Sequence, residues 1–198
     1  MNYLGHAYLS FNNADLLVGN MISDYVKGKK QFDYPTLIQN GIKLHRSIDD
    51  FTDNHAATFE IKKLFKPAYR LYAGAFTDVV YDYFLANDTD QFSSPEELKK
   101  FTQNTYKLLQ LQSEHFPEKF AKMFPYMQEQ DWLYNYRLNE GMQKSFGGLA
   151  RRAKYIEETD TAYQIFLEKK KHIQHWYEIF IPDVKFFTIH KIAELLNN

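Results

Sequence analysis

Among the first 85 residues, His6, Asp24, His45, Arg46, Asp49, Asp78 and Asp82 have the types and spacing to hold a divalent cation, move protons or bind an anion. His45 and Asp49 stand four residues apart beside the apolar stripe Leu37, Ile38, Ile42, Leu44 and Ile48, so in a helix they share one face. A carboxylate on that face loses hydration and must find a cation, a hydrogen-bond donor or a metal. Asp78 and Asp82 repeat the spacing inside the run Phe76-Thr77-Asp78-Val79-Val80-Tyr81-Asp82-Tyr83-Phe84-Leu85, where like charges repel unless something positive lies beside them. Asp24 follows Leu17 and Met21 at helical spacing and is expected to look inward, while His6 lies among Leu4, Tyr8 and Leu9. Asp24, His45, Asp49 and Asp78, from three helices, can meet in a cleft whose mixed nitrogen and oxygen donors suit Mn²⁺, Mg²⁺ or Fe²⁺. Each residue also has a plainer use. His45 can bond Asp49 one turn away, one aspartate of the 78/82 pair can be solvated, and His6 can be a buried neutral imidazole on a backbone hydrogen bond. Arg46 can form a surface ion pair with Asp49 or Asp50.

Helices must position these groups. Breakers and caps divide the chain into about eight helical segments, and no alternating run bounded by Asn-Gly or Asp-Gly turns suggests a hairpin, so the fold is expected to be all-α. Asn12 or Asn13 can cap a helix through Val26 that stops at Gly28, and Pro35 can open the next, running to about Asp53. Segments over 57–66 and 68–87 are separated at Pro67. Ser94-Pro95-Glu96-Glu97 is a capping box opening a helix to about Glu114. Pro117, Pro125, Gly141 and Gly147-Gly148 break up the stretch that follows. Asp160 can cap a long helix over 161–180 ahead of Pro182, and a terminal helix closes the chain. No internal repeat or linker is visible, so residues 1–198 are expected to form one domain.

Composition narrows the chemistry further. With 198 residues, 44% of them hydrophobic and 17% aromatic, the chain can bury a core filled with Phe and Tyr. The absence of cysteine excludes disulfides, thiolate nucleophiles and cysteine metal sites, so a metal must sit on His, Asp or Glu. A formal charge of −1 gives no global field for nucleic acid, and no apolar stretch approaches the roughly 20 residues of a membrane helix. The opening residues do not read as a signal peptide, and the expected location is the cytoplasm.

The segments Met1-Asn2-Tyr3-Leu4-Gly5-His6, Gly19-Asn20, Asp24-Tyr25-Val26-Lys27-Gly28, Gly41-Ile42-Lys43-Leu44-His45-Arg46-Ser47-Ile48-Asp49 and Thr52-Asp53 resemble the acyl carrier protein phosphodiesterases. The resemblance continues through the Asp78–Leu85 run, Gly148-Leu149-Ala150-Arg151-Arg152 and Phe180-Ile181-Pro182, and so spans nearly the whole chain. It implies an all-helical, distorted relative of the HD-domain metal phosphohydrolases. Such an enzyme removes the 4′-phosphopantetheine arm from a serine of holo acyl carrier protein, with Mn²⁺ preferred. Carried over by position, Asp24 and Asp78 fall on family carboxylates, and His45 and Asp49 fall in a His-Arg-x-x-x-Asp-like stretch at the metal site, with His6 a further candidate ligand. Asp82 or Asp49 is expected to support the site or act as general base, and Arg46 to bind phosphate. Two positions depart from the family: Gly5, where it often has Ala, and Tyr8, where it often has a second His. Arg46 also follows His45 directly, so the sequence lacks an adjacent His-Asp doublet.

Acyl carrier proteins are small and acidic, so an enzyme acting on one needs a local basic surface. Lys27-Lys29-Lys30, the set Lys62, Lys63, Lys66 and Arg70, and Arg151, Arg152 and Lys154 are the available clusters. Two other readings compete. An HD-like hydrolase of a nucleotide or small phosphoester would show an enclosed pocket without a basic docking surface, and a non-catalytic carrier-binding protein would hold no metal.

Overall fold

Asn13 opens the second helix by accepting a hydrogen bond from Leu16 N at 3.0 Å, so the expected cap is used. The computed structural model describes residues 1–197, which form ten α-helices, short 3-10 turns and no strand. They are α1 (Tyr3–Tyr8), α2 (Ala14–Ile22), α3 (Thr36–Asn54), α4 (Ala56–Tyr69), α5 (Ala73–Ala86), α6 (Pro95–Gln110), α7 (Glu118–Glu129), α8 (Trp132–Asn135), α9 (Asn139–Arg152) and α10 (Asp160–Leu196). The all-α class matches expectation; the count exceeds eight mainly because α1 and the four-residue α8 are too short to show a full period.

The proline boundaries need correction. Pro67 lies inside α4, Pro125 inside α7, and Pro182 inside α10, which runs unbroken for 37 residues. A proline removes one helical N–H and crowds the preceding turn, but Phe180, Ile181 and Val184 bury on both sides of Pro182 and packing holds α10 together. Gly141, Gly147 and Gly148 likewise lie inside α9. At α6 the expected cap forms, with Ser94 Oγ accepting from Glu97 N at 3.3 Å and Glu97 accepting from Ser93 N at 3.2 Å, but the helix ends at Gln110 rather than Glu114.

Two packing features position the site. First, α2 and α3 cross with their backbones almost touching: a Cβ on Gly19 would stand 2.1 Å from Ile38 O, and one on Gly41 would stand 2.4 Å from Leu16 O. Second, α5 runs through the centre, with Val79, Val80, Tyr81 and Leu85 wholly buried. Tyr81 stacks on Phe180 of α10 at 4.2 Å between ring centres and shares a hydrogen bond with Thr58 of α4. No helix among the described residues is long and apolar enough to cross a membrane.

Candidate metal centre

The close crossing of α2 on α3 puts Asn20 against His45. Asn20 is fully buried, and its main-chain oxygen accepts from His45 Nδ1 at 2.7 Å. Its side-chain oxygen accepts from Nδ1 of His6, on α1, at 2.8 Å, while its amide nitrogen donates to His6 O and Ser10 Oγ. One residue therefore anchors both imidazoles, which stack with centroids 3.9 Å apart and planes 16° from parallel. Because both acceptors are carbonyl oxygens, each Nδ1 carries a proton and each Nε2 is left to face the same point.

That point is Asp49. His6 Nε2 stands 3.1 Å from its Oδ1, and His45 Nε2 stands 3.0 Å from its Oδ2 and 3.4 Å from Asp24 Oδ1. Despite these distances, His45 Nε2 makes no hydrogen bond of acceptable direction, although it is buried. A buried nitrogen aimed at carboxylate oxygens but bonded to none is what a shared cation would resolve. The donor atoms of His6, His45 and Asp49 lie within 4.8 Å of one another, so this set fits a divalent ion with mixed nitrogen and oxygen ligation.

Without a cation, the electrostatics put the positive charge of the cluster on His45. Burial opposes charge on His45, but Asp24 and Asp49 outweigh it and raise its pKa to about 9. Burial, with His45 beside it, lowers His6 to about 4. Burial also disfavours the charged form of Asp49, yet His45 and then His6 hold its carboxyl well below the usual range. The fold thus keeps Asp49 ionised and His6 neutral, the forms a metal requires, while on His45 a cation would have to take the place of the proton.

The other residues singled out in the sequence take different places. Asp24 does not look inward: its side chain is 69% exposed, because α2 ends at Ile22 and Ser23–Tyr25 is a 3-10 turn in which the helical register no longer holds. It stands at the rim, ionised through its contact with His45. Asp78 Oδ1 accepts from the Met1 ammonium at 3.0 Å, and that ammonium also stands 3.9 Å from Asp49. Burial pushes Asp78 up. Asp82 is wholly buried on α5 and faces backbone rather than the imidazoles, accepting from Asn2 N, Leu4 N and Gly5 N at 3.2, 2.7 and 3.1 Å. It therefore caps α1, the helix that carries His6. Arg46 pairs with neither Asp49 nor Asp50; it donates to Gln31 and to Val26 O, pinning the segment after Asp24. Lys62 and Lys63 are paired on their own surface with Asp53 and Glu60. Arg151 and Arg152 line a cavity beside Asn2 and Tyr3.

Sequence reasoning gave no role to Asn20 or to the Met1 amine. The one signal for Asn20 was a polar residue in the apolar run Leu16-Leu17-Val18-Gly19-Asn20-Met21-Ile22. Gly5 packs so closely on Met1 that a Cβ would stand 2.5 Å from its Cε, and Tyr8 turns away from the centre to bond Gln91 and pack on Phe92.

Comparison with known proteins adds an independent line. Residues 1–184 match the family described as acyl carrier protein phosphodiesterase. A protein of that name from Klebsiella pneumoniae is 32% identical over 164 residues, 83% of this chain and 85% of its own length. One from Yersinia pestis is 30% identical over 182 residues, 91% of this chain and 92% of its own. One from Photorhabdus laumondii is 27% identical over 164 residues, 83% of each. No solved structure matches.

Proposed function

The chain belongs to the acyl carrier protein phosphodiesterase family, and from that premise we propose that it hydrolyses the phosphodiester of holo acyl carrier protein with a divalent metal, Mn²⁺ foremost, held by His6, His45 and Asp49. Water adds to phosphorus, the bond to the carrier's serine oxygen breaks, and that oxygen leaves with a proton, giving apo carrier and 4′-phosphopantetheine. The observation that carries the metal reading is the buried, unbonded Nε2 of His45 beside Asp49, with both imidazoles held by Asn20.

A divalent cation held by His6, His45 and Asp49 would supply Lewis acidity and neutralise charge on the phosphoryl oxygens. The protein's own groups do the rest. Asn20 fixes both histidine tautomers, and Asp82 fixes α1 so that His6 stays stacked on His45. The Met1 ammonium balances Asp78 and Asp49, which lowers the cost of gathering carboxylates in one place. Asp24, ionised and open to solvent beside His45, is the carboxylate we assign to accept a proton from water.

Mass spectrometry of holo acyl carrier protein incubated with the enzyme tests this. Conversion to apo carrier is expected with Mn²⁺, with loss in EDTA and in His45→Ala. Equal conversion in EDTA would remove the metal from the mechanism.

A further inference from the structure

The start of α1, together with α7, α8 and α9, encloses a cavity of about 550 Å³ beside the metal centre. Tyr3, Met123, Trp132 and Tyr136 give it apolar and aromatic walls, and Lys144, Arg151 and Arg152 stand along one side. None of these three cations forms a salt bridge among the described residues. The cavity is joined to the α1 cap through Asn2 and to the rim of the centre through Tyr3. Asn2, which lines it, donates to Asp82, and the Tyr3 hydroxyl shares a 2.8 Å hydrogen bond with Tyr25, the neighbour of Asp24. Tyr3 lines the cavity with its ring and bonds Tyr25 with its hydroxyl, so it stands between the cavity and the Asp24 rim of the centre.

Tyr136 gives the cavity a hydrogen-bond donor in an otherwise aromatic wall. The residue is only 4% exposed, but its hydroxyl is not one of the buried, unpartnered polar atoms and makes no hydrogen bond among the described residues, so the oxygen opens to the cavity it lines. Burial of the ring keeps the phenol protonated, so the hydroxyl is a free donor facing the cavity. Neither this cavity nor a larger concavity of about 860 Å³ between the end of α5 and α10 includes a candidate ligand in its lining, but of the two the smaller holds Tyr3, which bonds the neighbour of Asp24.

We propose that the cavity beside Tyr3 is the subsite for the pantetheine arm of the substrate, with the phosphate at the Tyr3 end and the amide-bearing chain running past Tyr136 and Trp132. This rests on the carrier-protein reading above and names the part of the substrate that the enzyme grips. The chemistry matches along the length: Arg152 meets the phosphate, the aromatic walls cover the geminal methyl groups, and the Tyr136 hydroxyl and the Asn135 side chain reach the two amides.

Trp132 can report this directly. The chain has two tryptophans, so Trp176→Phe leaves Trp132 as the sole indole. In EDTA, titration with pantetheine and with 4′-phosphopantetheine should each give a saturable change in Trp132 fluorescence. The phosphorylated ligand should bind about tenfold tighter, as one charge-assisted contact predicts, and Arg152→Gln should erase that advantage. Tyr136→Phe should weaken both ligands by about fivefold to tenfold, the worth of one hydrogen bond. Silence of Trp132 with both ligands, or no effect of Tyr136→Phe on either, overturns the proposal. Hydrolysis of holo carrier protein is scored separately. Turnover with a silent Trp132 overturns the subsite and leaves the enzyme reading intact, whereas binding without turnover supports the subsite and overturns the enzyme reading.

Discussion

Replacing Asn20 with Leu tests whether one buried amide organises the proposed metal centre. The side chain makes three hydrogen bonds, to His6 Nδ1, His6 O and Ser10 Oγ, at 2.8, 2.9 and 3.0 Å. Leu removes all three at similar volume. Ser10 Oγ still donates to His6 O at 2.8 Å, so those two groups keep each other, and the orphan is the buried His6 Nδ1–H. One orphaned donor and the lost bonds together cost about 2–4 kcal/mol of folding stability. The His45 anchor survives, because it is the main-chain oxygen of residue 20. Metal affinity should therefore fall but not vanish, by about 10- to 100-fold, the usual effect of losing a partner that orients a ligand histidine. Calorimetric titration with Mn²⁺, beside urea denaturation of the same samples, separates the two losses. An unchanged dissociation constant in a folded Asn20→Leu protein would refute the idea that Asn20 orients His6 for the metal.

Other outcomes follow from the same geometry. Gly41→Ala forces a Cβ to within 2.4 Å of Leu16 O and 2.8 Å of Gly19 Cα, and should destabilise the protein by about 1–3 kcal/mol or more in denaturant melts while weakening metal binding, because α2 carries Asn20 and α3 carries His45. Burial pushes Asp82 up to about 7, so between about pH 4 and 7 the folded chain holds a proton that the unfolded chain has released; the stability owed to this group is complete below pH 4 and declines as pH rises towards 7. Asp82→Asn should lack that decline, so its stability relative to the wild type should improve across the same window in melts run at a series of pH values; parallel profiles would count against it. Mn²⁺ at a hundredfold excess over its dissociation constant should stabilise the wild type by about 2.7 kcal/mol, read as a rise in Tm that His45→Ala loses. Lys62→Ala and Lys63→Ala, whose cations are already paired with Asp53 and Glu60, should change KM for holo carrier protein less than Arg151→Ala does.

Much of the secondary structure was legible because it depends on neighbours in the chain. The caps at Asn13 and Ser94 and the shared face of His45 and Asp49 follow from helical spacing alone. The placement of His6 against His45, by contrast, joins residues 39 positions apart, and no local pattern encodes a ring stacking made between α1 and α3. Asp78 and Asp82 read as an equivalent pair, yet one meets the Met1 ammonium and the other three backbone amides, because α1 docks its first residues on one side of α5. Asp24 was misjudged where a 3-10 turn replaces the helix, and the prolines of α4, α7 and α10 were misjudged because packing outweighs the local cost of a missing N–H.

The sequence by itself determined the donors, the helices that carry them and the absence of any thiol chemistry, since these depend on residue type and spacing. Tertiary structure decided which donors meet. A backbone-to-backbone contact at Gly19 and Gly41 brings Asn20 to His45, and a wholly buried Asp82 holds α1 in place, so the centre depends on long-range packing that spacing along the chain does not reveal.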